Sequence, residues 1–276
     1  MCAAHPRESS PDLIELNQDL LEAVKKIAEE AGQAILQIYQ QADFEVQVKR
    51  DQSPLTKADL ASHDIITKAL KNQTPQIPVL SEEGDKLGAD VETFWCVDPL
   101  DGTKEFIKRN GEFTVNIALI EHHQPVLGLV HIPVTNETFI AARGYGAKKI
   151  KDHQIQSLLK QNNKTRQPPI FAVSRSHLNQ QTQDFIQQHQ AEMIAVGSSI
   201  KLTLLAEGLA DAYPRFGPTS LWDVAAGHAI LKETGGEIFT LDQEPLVYNV
   251  NKILNPDLIA VQDKNVKFNV EERHES

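Results

Sequence analysis

The sequence lacks the features that define several large classes of protein. With only two cysteines, Cys2 and Cys96, it has no disulfide framework and no cysteine spacing of a zinc site, and a reducing cytoplasm fits it best. A formal net charge of −11 argues against a surface for a nucleic-acid polymer. No apolar run is long enough to span a bilayer, and the first residues lack the apolar core of a signal peptide.

These absences predict a cytoplasmic protein without a transmembrane segment. They leave open a peripheral association with the inner face of the cell membrane. With 41% hydrophobic and 24% charged residues, the composition is that of an ordinary globular protein. A chain of 276 residues is long enough for one large domain or for two smaller ones that share an interface.

The residue pattern divides the chain into a tail and two halves. Residues 1–12 are expected to form a flexible tail, and residues 13–150 an N-terminal α+β half. Residues 151–169 are polar and end in two prolines, which predicts a surface connection, with KDHQIQSL (151–158) as a candidate edge strand. Residues 170–276 alternate between strand and helix patterns, which predicts an α/β half.

In the first half, apolar residues at three- and four-residue steps predict a helix from Asp12 to Ile38, with Asp12 and Glu15 as a capping pair. Thr56 is the candidate cap of a second helix. Period-two alternation and short apolar runs predict strands, the last three forming an antiparallel meander, at residues 44–49, 77–80, 113–121, 125–134 and 137–147.

In the second half, short apolar runs separated by amphipathic segments predict a layered arrangement of strands and helices. The predicted strands are residues 171–174, 193–198, 210–216, 237–242 and 257–262. The predicted helices are residues 178–190, 201–209 and 221–236.

The stretch FWCVDPLDGTKEF, residues 94–106, carries the strongest chemical signal. A short buried strand is followed by a turn, because Pro99 fixes its own φ and Asp-Gly favours turns. Asp98 and Asp101 then lie three residues apart at the end of a strand, beside the hydroxyl of Thr103. Such hard oxygen ligands suit Mg²⁺. The same residues would also fit a polar turn with no ligand.

Three further acidic positions stand near predicted element ends. Asp59 falls in the first turn of the second helix, Glu82 and Glu83 follow a short strand, and Asp223 opens a later helix. Each has a structural explanation of its own, as a partner of the helix dipole, a solvated loop or a helix cap. Spacing along the chain does not reveal whether these positions converge.

Four segments in this order, SPLTKAD, VLSEEG, WCVDPLDGTKEF and LWDVAAG, resemble the signature of the inositol monophosphatase superfamily of Mg²⁺-dependent, lithium-sensitive phosphatases. DGTKEF, GSSIK, LAEGLADAYPRFGPTSLWD and LNPDLIA are similar to its 3′(2′),5′-bisphosphate nucleotidases. The resemblance covers residues 14–262 and implies a layered α-β-α-β-α sandwich with the metal site where the two halves meet. It also implies inhibition by Li⁺ and a role in clearing a by-product of sulfate assimilation.

The resemblance implies a role for each residue of these motifs. One Mg²⁺ would be held by Glu82, Asp98 and the carbonyl of Leu100. A second would be held by Asp98, Asp101 and Asp223, with Asp98 bridging the two ions. The attacking water would be positioned and deprotonated by Asp59 and Thr103. Glu83 would help to place a third, weaker ion.

The predicted substrate is a small nucleotide bisphosphate, and the predicted reaction removes the 3′-phosphate of adenosine 3′,5′-bisphosphate to give AMP. Its contacts would come from both halves of the chain. The expected contact residues are Glu82, Leu100, Asp101, Gly102, Thr103, His177, Ser198, Lys201 and Asp223, with Arg215 as a further candidate. Lys104 either offsets phosphate charge or pairs with Glu105.

Three alternatives compete with this prediction. A haloacid-dehalogenase-type phosphatase has its two aspartates two residues apart, whereas Asp98 and Asp101 are three apart, so that class is excluded. Another substrate of the same superfamily, such as inositol monophosphate or fructose bisphosphate, stays open. A non-catalytic nucleotide sensor would be expected to lose the water-activating pair, yet Asp59 and Thr103 are both present.

Overall fold

The computed structural model describes residues 14–41, 46–48, 54–89, 91–159 and 166–268. In chain order the helices are α1 Gln18–Tyr39, α2 Lys57–Gln73, α3 Thr103–Ile107, α4 Gln180–Gln188, α5 Ile200–Ala206 and α6 Leu221–Glu233. The strands are β1 Gln47–Val48, β2 Pro54–Leu55, β3 Val79–Ser81, β4 Thr93–Asp101, β5 Thr114–Glu121, β6 Gln124–Ile132, β7 Glu137–Ala142, β8 Gly146–Lys151, β9 Gln154–Leu158, β10 Ile170–Ser174, β11 Glu192–Val196, β12 Ala212–Arg215, β13 Glu237–Thr240 and β14 Leu258–Val261.

Two large sheets organise these elements. The first has seven strands in the order β3-β4-β5-β6-β7-β8-β9, antiparallel except for the parallel pair β3–β4. The second has five strands in the order β11-β10-β12-β14-β13, parallel from β11 to β12 and antiparallel beyond. The predicted meander and the predicted strand–helix alternation are therefore both confirmed.

Both faces of the seven-stranded sheet are covered by helices. On β4, Trp95 and Val97 pack with α1 and α2, whereas Phe94 and Cys96 face the opposite side, against α6. Because successive side chains of a strand point to opposite faces, this near-continuous apolar run serves two cores at once. The sheet is the second layer of a larger stack.

Helices α5 and α6 lie between the two sheets, and α4 covers the outer face of the five-stranded sheet, where Phe185 packs on Phe171. The layers therefore run α-β-α-β-α, and the predicted sandwich is confirmed. No helix formed by the described residues is both long and apolar enough to cross a membrane.

The start of α1 differs from the prediction. The helix begins at Gln18, where the side chain of Asn17 accepts a hydrogen bond from the amide of Leu20 at 2.9 Å. Apolar residues continue the helical spacing upstream of Asn17, which is why the pattern misplaced the start. Asp12 and the predicted tail lie outside the described residues.

Several predicted strand bounds are also wrong. The run 137–147 is two strands, β7 and β8, because the chain reverses at Gly144, whose φ is +83°. The connection begins later than predicted: β9 extends the first sheet to Leu158, which confirms the candidate edge strand. Only Leu158 of β9 is buried, so its sequence shows little apolar alternation. Of the strand predicted at 44–49, the described part is β1.

Helix α6 lies very close to the first sheet at Gly128 of β6. A Cβ atom at Gly128 would come within 2.2 Å of the carbonyl oxygen of Ala226 and 2.7 Å of the Cβ of Ala229. The small residues of α6 and the absent side chain of Gly128 together allow the contact. This contact matters because α6 carries Asp223.

We expect Gly128→Ala to destabilise the fold by about 1 to 3 kcal/mol, because the added methyl forces α6 away from the sheet. Urea denaturation followed by circular dichroism measures the free energy of unfolding. The control is Gly88→Ala, since a Cβ at Gly88 meets nothing within 4 Å; its effect should stay within about 0.5 kcal/mol. Equal stability of the two variants would contradict the close approach.

Candidate active site

The turn after β4 brings backbone and side-chain oxygens to one end of the first sheet. The strand continues to Asp101, but its pairing with β5 shifts between Asp98 and Asp101, so the predicted turn falls later, at Gly102. Gly102 has a φ of +92°, which favours glycine. The amide of Leu100 donates to Asp98 Oδ1 at 3.1 Å, and Ser62 Oγ donates to the carbonyl of Pro99 at 2.7 Å.

Thr103 and Asp59 are in direct contact, although 44 residues separate them. Thr103 Oγ1 lies 3.1 Å from Asp59 Oδ1 and 3.3 Å from the carbonyl of Leu100, so its proton is donated to one of these two acceptors. The second oxygen, Asp59 Oδ2, accepts bonds from the amide and the hydroxyl of Thr56 at 2.7 and 2.6 Å. The predicted cap is therefore confirmed, and Asp59 both caps α2 and contacts Thr103.

Asp101 is held by two residues that the sequence analysis missed. Asn116 Nδ2 donates to Asp101 Oδ2 at 3.2 Å, and Ser199 Oγ lies 2.8 Å from the same oxygen and 2.7 Å from the carbonyl of Asp223. Asn116 stands at a fully buried position of the apolar strand β5. A lone amide in such a strand is a signal that could have been used, because buried polar groups need partners.

Asp223 enters the site from the second half of the chain. It sits in the first turn of α6, and its Oδ2 accepts a bond from the amide of Ser220 at 2.8 Å. The helix cap considered from the sequence is therefore present, and the same residue also opens onto the cleft.

A cleft of about 610 Å³ brings most of the predicted residues together. The predicted residues that line it are Glu82, Asp98, Leu100, Asp101, Gly102, Thr103, Lys104, His177, Ser198, Lys201, Arg215 and Asp223. Asp59 is not among the lining residues and reaches the cleft through Thr103. Glu83 is not among them either, so its role at a third ion stays a prediction.

The acidic side of the cleft carries strong mutual repulsion. Burial, followed by the charge of Glu82, holds the pKa of Asp98 well above its usual range. Burial and then the charge of Asp101 raise the pKa of Asp223 to about 8. Burial also raises the pKa of Asp101, against the opposing charge of Lys201. Deprotonated carboxylates are thus costly here unless a cation offsets their charge.

This donor set fits Mg²⁺, which prefers hard oxygen ligands. Among the residues that the structure describes, no three acidic, histidine or cysteine side chains converge tightly enough to hold an ion alone. Mg²⁺ is usually held by one or two carboxylates together with waters and substrate phosphate oxygens, so an open arrangement suits it better than a closed cage.

The other side of the cleft is cationic. Lys201 is 6% exposed, and its Nζ donates to the carbonyl of Ser198 and lies 5.3 Å from the centre of the Tyr213 ring. Burial lowers the pKa of Lys201 to about 8, against the opposing charge of Asp101. The buried hydroxyl of Ser198 has no hydrogen-bond partner within the described part of the chain. These groups are suited to an anion with polar substituents.

Lys104 and Arg215 extend this cationic side. Lys104 Nζ lies 3.4 Å from His177 Nε2, and Arg215 donates to the carbonyl of Pro218 at 2.8 Å. The alternative pairing of Lys104 with Glu105 does not occur among the contacts of the described residues. Instead Glu105 accepts a hydrogen bond from Ser176.

Known proteins are similar to this chain in sequence. A sequence model of the Inositol monophosphatase family matches residues 16–274. The 3′(2′),5′-bisphosphate nucleotidase CysQ of Escherichia coli O157:H7 is 45% identical over 244 residues, which cover 86% of this chain and 97% of the relative.

Solved structures are similar as well. The crystal structure of CysQ from Bacteroides thetaiotaomicron, described as a bacterial member of the inositol monophosphatase family, superposes with a TM-score of 0.78 and 42% identity, over 90% of this chain and 98% of that one. An inositol monophosphatase from Anabaena (Nostoc) sp. PCC 7120 has a TM-score of 0.72 and 25% identity, over 90% and 92% of the two chains.

Proposed function

Because the chain belongs to the inositol monophosphatase family, we propose that it is a Mg²⁺-dependent 3′(2′),5′-bisphosphate nucleotidase that hydrolyses adenosine 3′,5′-bisphosphate to AMP and phosphate. The observation that carries this proposal is the 45% sequence identity to a nucleotidase, over 97% of the length of that relative. One cleft with an acidic and a cationic side supports it, since the substrate has one phosphate to cleave and another to hold.

The acidic side of the cleft would hold two Mg²⁺ ions. One ion would take Glu82, Asp98 and the carbonyl of Leu100, and the other Asp98, Asp101 and Asp223, with waters and substrate phosphate oxygens completing each coordination shell. Bound there, Mg²⁺ neutralises phosphate charge and makes water a better nucleophile. Glu83 would help to place a third ion.

Thr103 and Asp59 would position the attacking water and accept its proton. Thr103 Oγ1 donates to an acceptor on the protein side, so its lone pairs are free to accept a hydrogen bond from water in the cleft. Asp59, fixed by its two bonds from Thr56, is the nearest carboxylate to take the proton through this hydroxyl. The cationic side would bind the remaining phosphate and the nucleoside.

A substrate panel tests the proposal. Under saturating Mg²⁺ we expect kcat/KM for adenosine 3′,5′-bisphosphate to exceed that for inositol monophosphate and fructose bisphosphate by about 100-fold or more. Inositol monophosphate lacks a second anionic end and fructose bisphosphate lacks a nucleoside, so each would leave polar groups of the site unpaired. Phosphate release with and without Li⁺ measures both preference and the expected inhibition.

Two results would contradict the proposal. A nucleotide that is a much poorer substrate than inositol monophosphate would move the chain to the other activity of the family. Equal, negligible rates for the wild type and Asp98→Asn would favour the non-catalytic sensor.

A further inference from the structure

Three consecutive residues after β10 connect the two halves of the chain beside the cleft. Arg175 pairs with Glu112, Ser176 Oγ donates to Glu105 at 2.5 Å, and His177 contacts Lys104. The partners all belong to the segment between β4 and β5. This strip joins the segment that directly follows Asp101, at the end of β4, to the second half.

The Arg175 contact is the most directional of the three. Its Nε and Nη2 donate to the two carboxylate oxygens of Glu112, each at 2.7 Å, and Nη2 also reaches the carbonyl of Ala195 at 2.6 Å. Planar, bidentate pairing of this kind fixes orientation as well as distance, unlike an ordinary surface ion pair. Arg175 therefore ties Glu112 to the end of β11.

Glu112 in turn holds the segment that follows β11. The amide of Gly197 donates to Glu112 Oε2 at 2.8 Å. Burial would raise the pKa of Glu112, but the bonds from Arg175 and Gly197 outweigh it and lower the pKa. A Cβ at Gly197 would lie 2.6 Å from Glu105 Cγ and 2.7 Å from the carbonyl oxygen of Glu112, so the two segments are in close contact.

The residues that follow Gly197 belong to the site. Ser198 lines the cleft and has a φ of +46°. Residues other than glycine rarely adopt this backbone conformation, so surrounding contacts must maintain it. Ser199 Oγ lies 2.8 Å from Asp101 Oδ2. A shift of Gly197 would therefore move both the hydroxyl of Ser198 and the hydroxyl of Ser199 that orients Asp101.

We propose that Arg175 is a positioning residue that acts through Glu112 to hold Gly197, Ser198 and Ser199 where Ser199 orients Asp101. Arg175 is not among the described residues that line the cleft. The inference rests on the proposed function only where activity is measured. The dissociation constant of Mg²⁺ tests it without any measurement of activity.

The test compares Arg175→Ala and Arg175→Lys with the wild type. For Arg175→Ala we expect the dissociation constant of Mg²⁺, measured by isothermal titration calorimetry, to rise about tenfold, as is typical when support behind a metal ligand is lost. The Mg²⁺ concentration for half-maximal activity should rise by a similar factor. Arg175→Lys keeps the charge without the bidentate geometry, so its Mg²⁺ dissociation constant should lie between those of the wild type and Arg175→Ala.

Arg166→Ala is the matched control, because Arg166 also bonds a carboxylate, Asp211 at 3.0 Å, and a backbone carbonyl, that of Gly208, away from the cleft. It should leave the Mg²⁺ dissociation constant unchanged. If Arg175→Ala fails to fold, Glu112→Gln, which keeps an oxygen for the Gly197 amide, should shift Mg²⁺ binding in the same direction by a smaller factor.

Wild-type Mg²⁺ binding in Arg175→Ala, or an equal shift in Arg166→Ala, would overturn the inference. A wild type that hydrolyses no nucleotide, together with weakened Mg²⁺ binding in Arg175→Ala, would overturn the proposed function and leave the inference standing.

Discussion

Asp98→Asn should abolish phosphate release and, without metal, make the fold more stable. Asp98 is 1% exposed, and its burial among carboxylates holds its pKa well above the usual range. The substitution removes the charge at the centre of the acidic side of the cleft and keeps an oxygen for the Leu100 amide. We expect kcat/KM to fall by about 10⁴-fold, or about 5 kcal/mol. The free energy of unfolding in EDTA should rise by about 0.5 to 2 kcal/mol.

The stability gain should depend on pH in a defined direction. Because the pKa of Asp98 is raised in the fold, its proton stabilises the fold at low pH, and this contribution is lost as pH rises through the folded pKa. In urea unfolding with EDTA, the free energy of unfolding of the variant should therefore exceed that of the wild type at pH 8. The difference should shrink as the pH is lowered.

The control for this experiment is Asp242→Asn, at an exposed position outside the cleft, which should change neither quantity. Wild-type activity in Asp98→Asn would remove Asp98 from the ligand set. A loss of stability in EDTA would mean that the carboxylate is favourable as it stands.

Thr103→Val should lower kcat by about 10² to 10⁴-fold with little change in KM, because it deletes only the hydroxyl that lies between Asp59 and the cleft. Valine keeps the branched shape of threonine, and Asp59 keeps both bonds from Thr56, so the fold should be unaffected. Steady-state kinetics with adenosine 3′,5′-bisphosphate at saturating Mg²⁺ measures the effect.

The matched variant Thr103→Ser keeps the hydroxyl and should stay within about tenfold of the wild-type kcat. A valine variant as active as the serine variant would exclude Thr103 from proton transfer. A change confined to KM would assign the hydroxyl to substrate binding instead.

The sequence contained enough local information for most elements of the fold. Thr56 caps α2 as predicted, because capping is a local property, and Asp59 completes a capping box that was not predicted. The layered sandwich followed from the family resemblance. The start of α1 was missed because apolar spacing continues past Asn17. Strand β9 was predicted only as a candidate because an exposed edge strand has little apolar alternation.

The site was predictable as a set of residues and not as a geometry. The shift in pairing between Asp98 and Asp101, and the packing of α6 on Gly128, depend on contacts across the whole chain. Arg175 and Glu112 are 63 residues apart, and no local pattern marks either as a partner. The roles of the cleft residues in catalysis stay predictions until the variants are measured.

The position of α6 in the middle layer has a consequence for how the protein unfolds. The apolar core around it includes strands of both sheets, with Phe94 and Cys96 on one side and Tyr213 and Ala260 on the other. Neither half can therefore bury its inner face alone, and we expect equilibrium unfolding to be a single cooperative event. The boundary visible in the sequence separates two patterns of residues and not two independent folding units, so we expect Asp223 and the predicted ligands of the first sheet to be gained or lost together.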